Sequence, residues 1–300
     1  MAPGLARALS VALLAALGLF AAAAVAVYVQ SERLLRKVYD APDTRLTVGS
    51  DPVAIARGGH IVHAVGVCAT CPGSDLGGQI YADMGLLGVI AGPNLTRGRG
   101  GIGATFTDAD WARALRYGVR KDGTTLIAMP SEVFTNLSDP DLAAIVAYVR
   151  QLPPVDREVP RTRFGPVGRV LLAAGRLSIL AAPKTVHRGT TNAAATEGTP
   201  EHGRYLADVS GCHGCHGYGL SGGRVAGPSN LPPAANLTRG GLGSWRESDF
   251  VRAMRSGRRP DGSSLNEFMP WRSYAAMTDV ELHALWLYLR SAPPKAFGNK

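Results

Sequence analysis

From residue 51 onward this 300-residue chain repeats itself, so any fold it adopts is built from two copies of one unit. Gly59 to Cys71 aligns with Gly203 to Cys215 at an offset of 144. Asn94-Leu95-Thr96 answers Asn236-Leu237-Thr238, and Gly100-Gly101-Ile102-Gly103 answers Gly240-Gly241-Leu242-Gly243. Arg113, Arg116, Gly118, Asp122 and Gly123 fall on Arg252, Arg255, Gly257, Asp261 and Gly262, and Met129-Pro130 falls on Met269-Pro270. The offset drifts to 139 and returns to 140, as it must when loops between shared elements differ in length. The organisation read from this is a leading segment 1–50, a first domain 51–154, an interdomain segment 155–198 and a second domain 199–300.

Within each copy the elements read as helices. Asp51-Pro52 and Thr199-Pro200 set a capping side chain before a proline at the first helical position. Ser138-Asp139-Pro140-Asp141 and Thr278-Asp279-Val280-Glu281 are S/T-x-x-D/E starts. Leu142, Ile145, Val146 and Val149 then follow i, i+3, i+4, i+7, as do Leu282, Leu285, Trp286 and Leu289. Pro153-Pro154 and Pro293-Pro294 stop both helices. No alternating strand pattern competes, and the Gly-rich stretches between helices read as loops. The fold class is mainly α.

The four cysteines form two Cys-x-x-Cys pairs, which is haem or redox usage and no disulfide framework. In the second copy the pair continues as Cys212-His213-Gly214-Cys215-His216, the spacing of a c-type haem attachment site. Each thiol can add across one porphyrin vinyl group, which leaves His216 beneath the macrocycle as proximal iron ligand. Four-ligand zinc would need further Cys or His nearby, and a thioredoxin-like dithiol would need a βαβ setting that is not evident. Met269 is the natural second axial ligand, since a thioether is a soft donor and Met/His ligation raises the iron potential. Its recurrence as Met-Pro in both copies separates it from a core filler. Arg258, Arg259 and Trp271 are candidate propionate donors. His187, His202, His213 and His283 read as surface or packing residues, His213 as solvent-facing.

Ala8 to Val29 holds no charged residue, and as a helix its 22 residues span about 33 Å, enough for a bilayer core. A secretory signal has a shorter apolar run, although Ala24-Val25-Ala26 resembles a cleavage site. The expectation is a single anchor in a bacterial inner membrane with periplasmic domains, because covalent haem attachment occurs outside the cytoplasm. Val170 to Ala182 reads as a short helix packed between the domains in preference to resting on the membrane, and Thr190 to Gly198 as a linker. The net charge of +9 suits an acidic protein partner or an anionic membrane. No basic run interleaved with aromatics points to nucleic acid.

From Ile55 to Pro154 and from Gly203 to Pro294 the chain resembles tandem class I cytochrome c domains, and most closely the membrane-anchored cytochrome c subunits of periplasmic alcohol and related dehydrogenases. That resemblance implies a helical fold, covalent haem c on Cys212, Cys215 and, by position, Cys68 and Cys71. It implies electron transfer from a periplasmic dehydrogenase partner towards a quinone or another respiratory acceptor. It also implies that the first and last helices of each domain cross at Gly59 and Gly203, near Tyr148 and Tyr288. No nucleophile or paired acid and base suggests catalysis by the chain itself.

The first copy departs from the pattern at one position. It reads Cys68-Ala69-Thr70-Cys71-Pro72, and proline has no side-chain donor to offer iron. Three readings stand open: the first site has lost its haem; a haem is held there with Met129, His60 or His63 on the iron; or Pro72 is aberrant in an ordinary dihaem protein. The functional alternatives follow. A first-domain haem with an open position would make a ligand-binding or enzymatic subunit, and a haemless first domain would be a docking scaffold.

Overall fold

A computed structural model describes residues 3–44, 46–188, 195–225 and 231–298. Helix α1, Pro3–Arg36, is continuous through the apolar run, and Arg7–Arg36 is long and apolar enough to cross a membrane. The first unit then contains α2 (Pro52–His60), strands β1 (Gln79–Asp83) and β2 (Gly88–Gly92), α3 (Asp108–Tyr117), α4 (Ser131–Phe134) and α5 (Asp139–Arg150). The intervening segment supplies β3 (Arg163–Phe164), α6 (Pro166–Ala173) and α7 (Ala182–Thr185). The second unit contains α8 (Pro200–Val209), α9 (Cys212–His216), α10 (Arg239–Leu242), α11 (Glu247–Ser256), α12 (Trp271–Tyr274) and α13 (Asp279–Ser291).

The helix starts are where the capping residues put them. Asp51 accepts from Val53 and Ala54 N–H, and Thr199 from His202 N–H. Ser138 accepts from Asp141 N–H, and Thr278 forms a reciprocal box with Glu281. The apolar stripes of α5 and α13 are buried at Leu142, Ile145, Val146 and Val149 and at Leu282, Leu285, Trp286 and Leu289. The paired arginines have paired jobs: Arg116 reaches Asp139 at 2.6 Å and Arg255 reaches Asp279 at 2.6 Å, tying α3 and α11 to the starts of α5 and α13.

In each unit the first helix crosses the last at a glycine. A Cβ on Gly203 would run into the carbonyl of Ala284, and one on Gly58 into the carbonyl of Ala144. The first crossing is therefore at Gly58, one residue before the expected Gly59, which lies beside the Tyr148 ring. The cause is a π-helical turn over Ile61–Val65. It takes up the one extra residue between crossing and Cys-x-x-Cys in the first unit, so both ends keep their places.

Two further expectations are corrected. Part of the Gly-rich stretch read as loop is an antiparallel hairpin, β1 on β2, with β3 added on the far edge of β2. Its alternation is hidden by an irregular register between Ile80 and Ala82. Helix α6 does not sit between the units: Arg169 donates to Ser31 and Glu32 at 2.8 Å and lies over the Tyr28 ring, docking α6 on the C-terminal end of α1. The stretch behind it packs on the first unit, where Ala128 N–H donates to Ile179 and Ala181 N–H to Leu126. The linker read at Thr190 to Gly198 lies outside the described residues as far as 194.

The units meet through one continuous apolar cluster. Helix α4 packs on α8, and α12 packs on the π turn. Around this seam lies a polar network. Arg57 donates to Asp141 at 3.1 and 3.3 Å and to Glu281 at 2.7 Å; His60 Nε2 donates to Glu281 at 2.7 Å; Tyr205 Oη donates to Asp141 at 2.6 Å.

Candidate haem-attachment site

Cys212 to His216 form a single short helix between two glycines of positive φ, Gly211 at 74° and Gly217 at 76°. The tight turn places both thiols and the imidazole within one five-residue helical turn. His216 is buried, and its Nδ1 lies 2.8 Å from the carbonyl of Ala235. A carbonyl only accepts, so Nδ1 carries the proton, and in its neutral form such a ring has its lone pair on Nε2, the arrangement a metal-binding histidine requires. Neither Cys212 nor Cys215 is in a disulfide, and burial pushes the Cys212 thiol up to about 12.

Met269 is partly buried against the core, on the loop that leads into α12. Its N–H donates to Asn266 and its carbonyl accepts from Trp271 N–H at 2.7 Å. Helix α12 joins this loop to the cysteine turn: Tyr274 Oη donates to the carbonyl of Ser210 at 2.7 Å. Burial, and then the nearby Cys212 and Cys215, hold the Tyr274 hydroxyl well above its ordinary value, so it remains a donor. Sequence reading passed over Tyr274, although its place five residues after Met269 was visible.

Other candidates sort differently. Trp271 packs its ring over Gly257, and its Nε1 is among several buried polar atoms without a partner in the described residues. Arg258 and Arg259 bond back to their own turn, at Gly262, Ser263 and Ser264. His213 is not solvent-facing. Its Nε2 meets Asp208 at 3.2 Å and its ring stacks on Tyr218 at 5.5 Å, and the Asp208 contact raises its pKa.

The donor set of the second unit fits a covalently held haem: two thiols and an imidazole on one turn, a thioether on the adjoining loop and a buried indole donor in α12. The first unit repeats the backbone of this site almost bond for bond. Gly78 N–H donates to Pro72 as Gly222 N–H does to His216; Leu76 donates to Gly73 as Leu220 does to Gly217; Leu95 donates to Leu76 as Leu237 does to Leu220. Leu76 and Leu220 share positive φ values of 55° and 58°. Where Gly211 turns the chain, however, Val67 is held at φ 52°, a strained place for a β-branched residue.

Within that scaffold the first site lacks the chemistry. Cys68 to Thr70 form a 3-10 turn and Pro72 is buried, with no donor atom to present. Cys68 and Cys71 form no disulfide, and burial raises both thiols, Cys68 to about 12. His60 is committed to Glu281, and His63 Nε2 to Tyr148 Oη at 2.9 Å. Met129 is partly buried against the core on the loop before α4. The residues of the first unit do not fit a histidine-ligated haem.

Residues 200–293 match the family model described as Cytochrome c. Over 276 residues the chain is 28% identical to the fructose dehydrogenase cytochrome subunit of Gluconobacter japonicus, covering 81% of this chain and 53% of that protein. It is 30% identical over 280 residues to the cytochrome c subunit of alcohol dehydrogenase (quinone) of Gluconacetobacter polyoxogenes, covering 83% and 58%. It is 31% identical over 261 residues to the gluconate 2-dehydrogenase cytochrome c subunit of Pantoea cypripedii, covering 77% and 56%. The chain thus spans between half and three-fifths of the length of these curated relatives.

Proposed function

Since residues 200–293 match the Cytochrome c family model, we propose that this chain is a single-electron carrier with one covalent haem c, held by the second unit. Cys212 and Cys215 hold the macrocycle, His216 Nε2 and Met269 Sδ hold its iron, and the Tyr274–Ser210 bond fixes the methionine loop to the cysteine turn. When bound, the haem supplies a one-electron Fe(III)/Fe(II) couple, whose potential the Met/His pair and burial raise. The observation that carries the count of one is the contrast between His216, with its tautomer set by Ala235, and Pro72 on the same backbone.

The first unit serves as a brace. The ion network at the seam supports this, as does Val133 of α4, which packs over Gly211 at the entrance to the cysteine turn. Helix α1 anchors the chain in the inner membrane, with both units on the periplasmic side where covalent haem attachment takes place. The named relatives are cytochrome subunits of dehydrogenases, so the electron donor is a periplasmic dehydrogenase and the acceptor a quinone or another respiratory component.

Covalent haem per chain, measured against protein mass and by spectrum, tests the reading. One low-spin haem is expected, lost in His216→Pro and shifted to a lower potential in Met269→Ala. Two haems per chain, or a high-spin component, would return function to the first unit.

A further inference from the structure

Five large apolar side chains of the hairpin face solvent: Leu86 is 67% exposed, Ile80 52%, Tyr81 48%, Met84 43% and Leu87 36%. Ile80 and Tyr81 are successive residues of β1, and a strand normally has one face to bury. The turn Gly85–Leu87 sits on the start of α6, where Gly165 N–H donates to the Leu87 carbonyl at 3.0 Å. Helix α6 continues the patch. It buries Gly168 and Leu172 on one side, yet leaves Val167 and Val170 exposed on another, and its one charge, Arg169, is turned onto α1. A helix apolar all round and open to solvent on one side calls for apolar cover.

The position of the patch says what that cover is. Helix α6 docks on α1 at Tyr28, Ser31 and Glu32. The apolar run ends at Val29, just before Gln30, Ser31 and Glu32, and 22 helical residues traverse about the thickness of a hydrocarbon core. The docking point is therefore at the level where α1 leaves the lipid tails. Exposed Arg33, Arg163 and Arg176 lie on α1, on β3 and just behind α6, where cations meet phosphate headgroups.

We propose that the turn Gly85–Leu87, the β1 side chains beside it and the exposed face of α6 are a second, monotopic membrane contact. They enter the interface of the bilayer that α1 spans, with the basic residues on lipid phosphates. The contact rests on the reading of α1 as an anchor. It fixes the first unit against the membrane, so the chain is held at two points and does not swing from α1.

The test is photolabelling of the full chain in phosphatidylethanolamine–phosphatidylglycerol proteoliposomes carrying a diazirine near the glycerol end of the acyl chain. Labelled peptides are located by mass spectrometry. Labelling is expected in α1, in 80–87 and in 167–174, several-fold above that of peptides holding Tyr218 or Phe268, which are exposed aromatics of the second unit. Leu86→Asp combined with Val170→Asp should remove labelling at the patch and leave that of α1 unchanged. Label in α1 with none at the patch would overturn the proposal alone, whereas no label in either would overturn the anchor reading beneath it. Equal label at Tyr218 and Phe268, or protein–protein cross-links between turns of two copies in place of lipid, would also refute it.

Discussion

Replacing Glu281 by glutamine tests the seam between the units. The carboxylate is 3% exposed, accepts from Arg57 and His60 at 2.7 Å each, and also caps its own helix through Thr278 N–H at 2.9 Å. Burial alone would raise its pKa, but the bonds from His60, Thr278 and Arg57 outweigh it and bring the group from 4.5 to about 2. At 1.36 kcal/mol per unit, that depression corresponds to roughly 3 kcal/mol of stability. Because the folded pKa lies below the unfolded one, this contribution is fully present above pH 4.5 and is lost as the pH falls towards 2. Glu281→Gln keeps the shape and removes the charge, leaving Arg57 with Asp141 alone. Urea unfolding of the detergent-solubilised chain should show a loss of about 3 kcal/mol at pH 7, shrinking at pH 3 as the wild type loses the same term. Equal stability at pH 7, or an acid profile that still runs parallel to wild type, would refute the assignment of this energy to Glu281.

Three further outcomes follow from geometry. Val67→Gly should stabilise the first unit by about 1 kcal/mol in the same unfolding assay, because glycine takes φ 52° without strain. Tyr274→Phe should destabilise the second unit by about 1–3 kcal/mol by leaving the Ser210 carbonyl buried and unpaired, with the melting temperature as readout. Gly203→Ala should cost about 3 kcal/mol or prevent folding, since the added methyl meets the Ala284 carbonyl of the crossing helix; unchanged yield and melting of the detergent-solubilised chain would contradict the packing described.

Much of this was legible in the sequence, because local chemistry decided it. Asp51, Ser138, Thr199 and Thr278 cap helices wherever they precede a periodic stripe, and the stripes of α5 and α13 needed only their spacing. The cysteine turn was legible for the same reason: five consecutive residues specify it. What stayed hidden depends on residues far apart in the chain. Glu281 meets Arg57 across 224 positions, and nothing in the spacing of either announces the other. His213 reads as exposed until Asp208, Tyr218 and Tyr288 are folded around it. The hairpin escaped because its register slips within a five-residue strand. The crossing at Gly58 escaped because aligning the cysteines fixes one offset, whereas the helix above them is one residue longer in the first copy.

That extra residue bears on how two copies of one sequence unit can differ in length. One insertion in an α-helix rotates everything beyond it by about 100°, enough to carry Gly58 off the Ala144 carbonyl and α2 off α5. The widened turn at Ile61–Val65 confines the change of phase to five residues, which happen to be those against which α12 packs. The difference in length thus lies away from the crossing within the first copy, on the surface it shows the second. The partner helix there follows the methionine loop, so the two copies diverged at the place where one can feel the shape of the other.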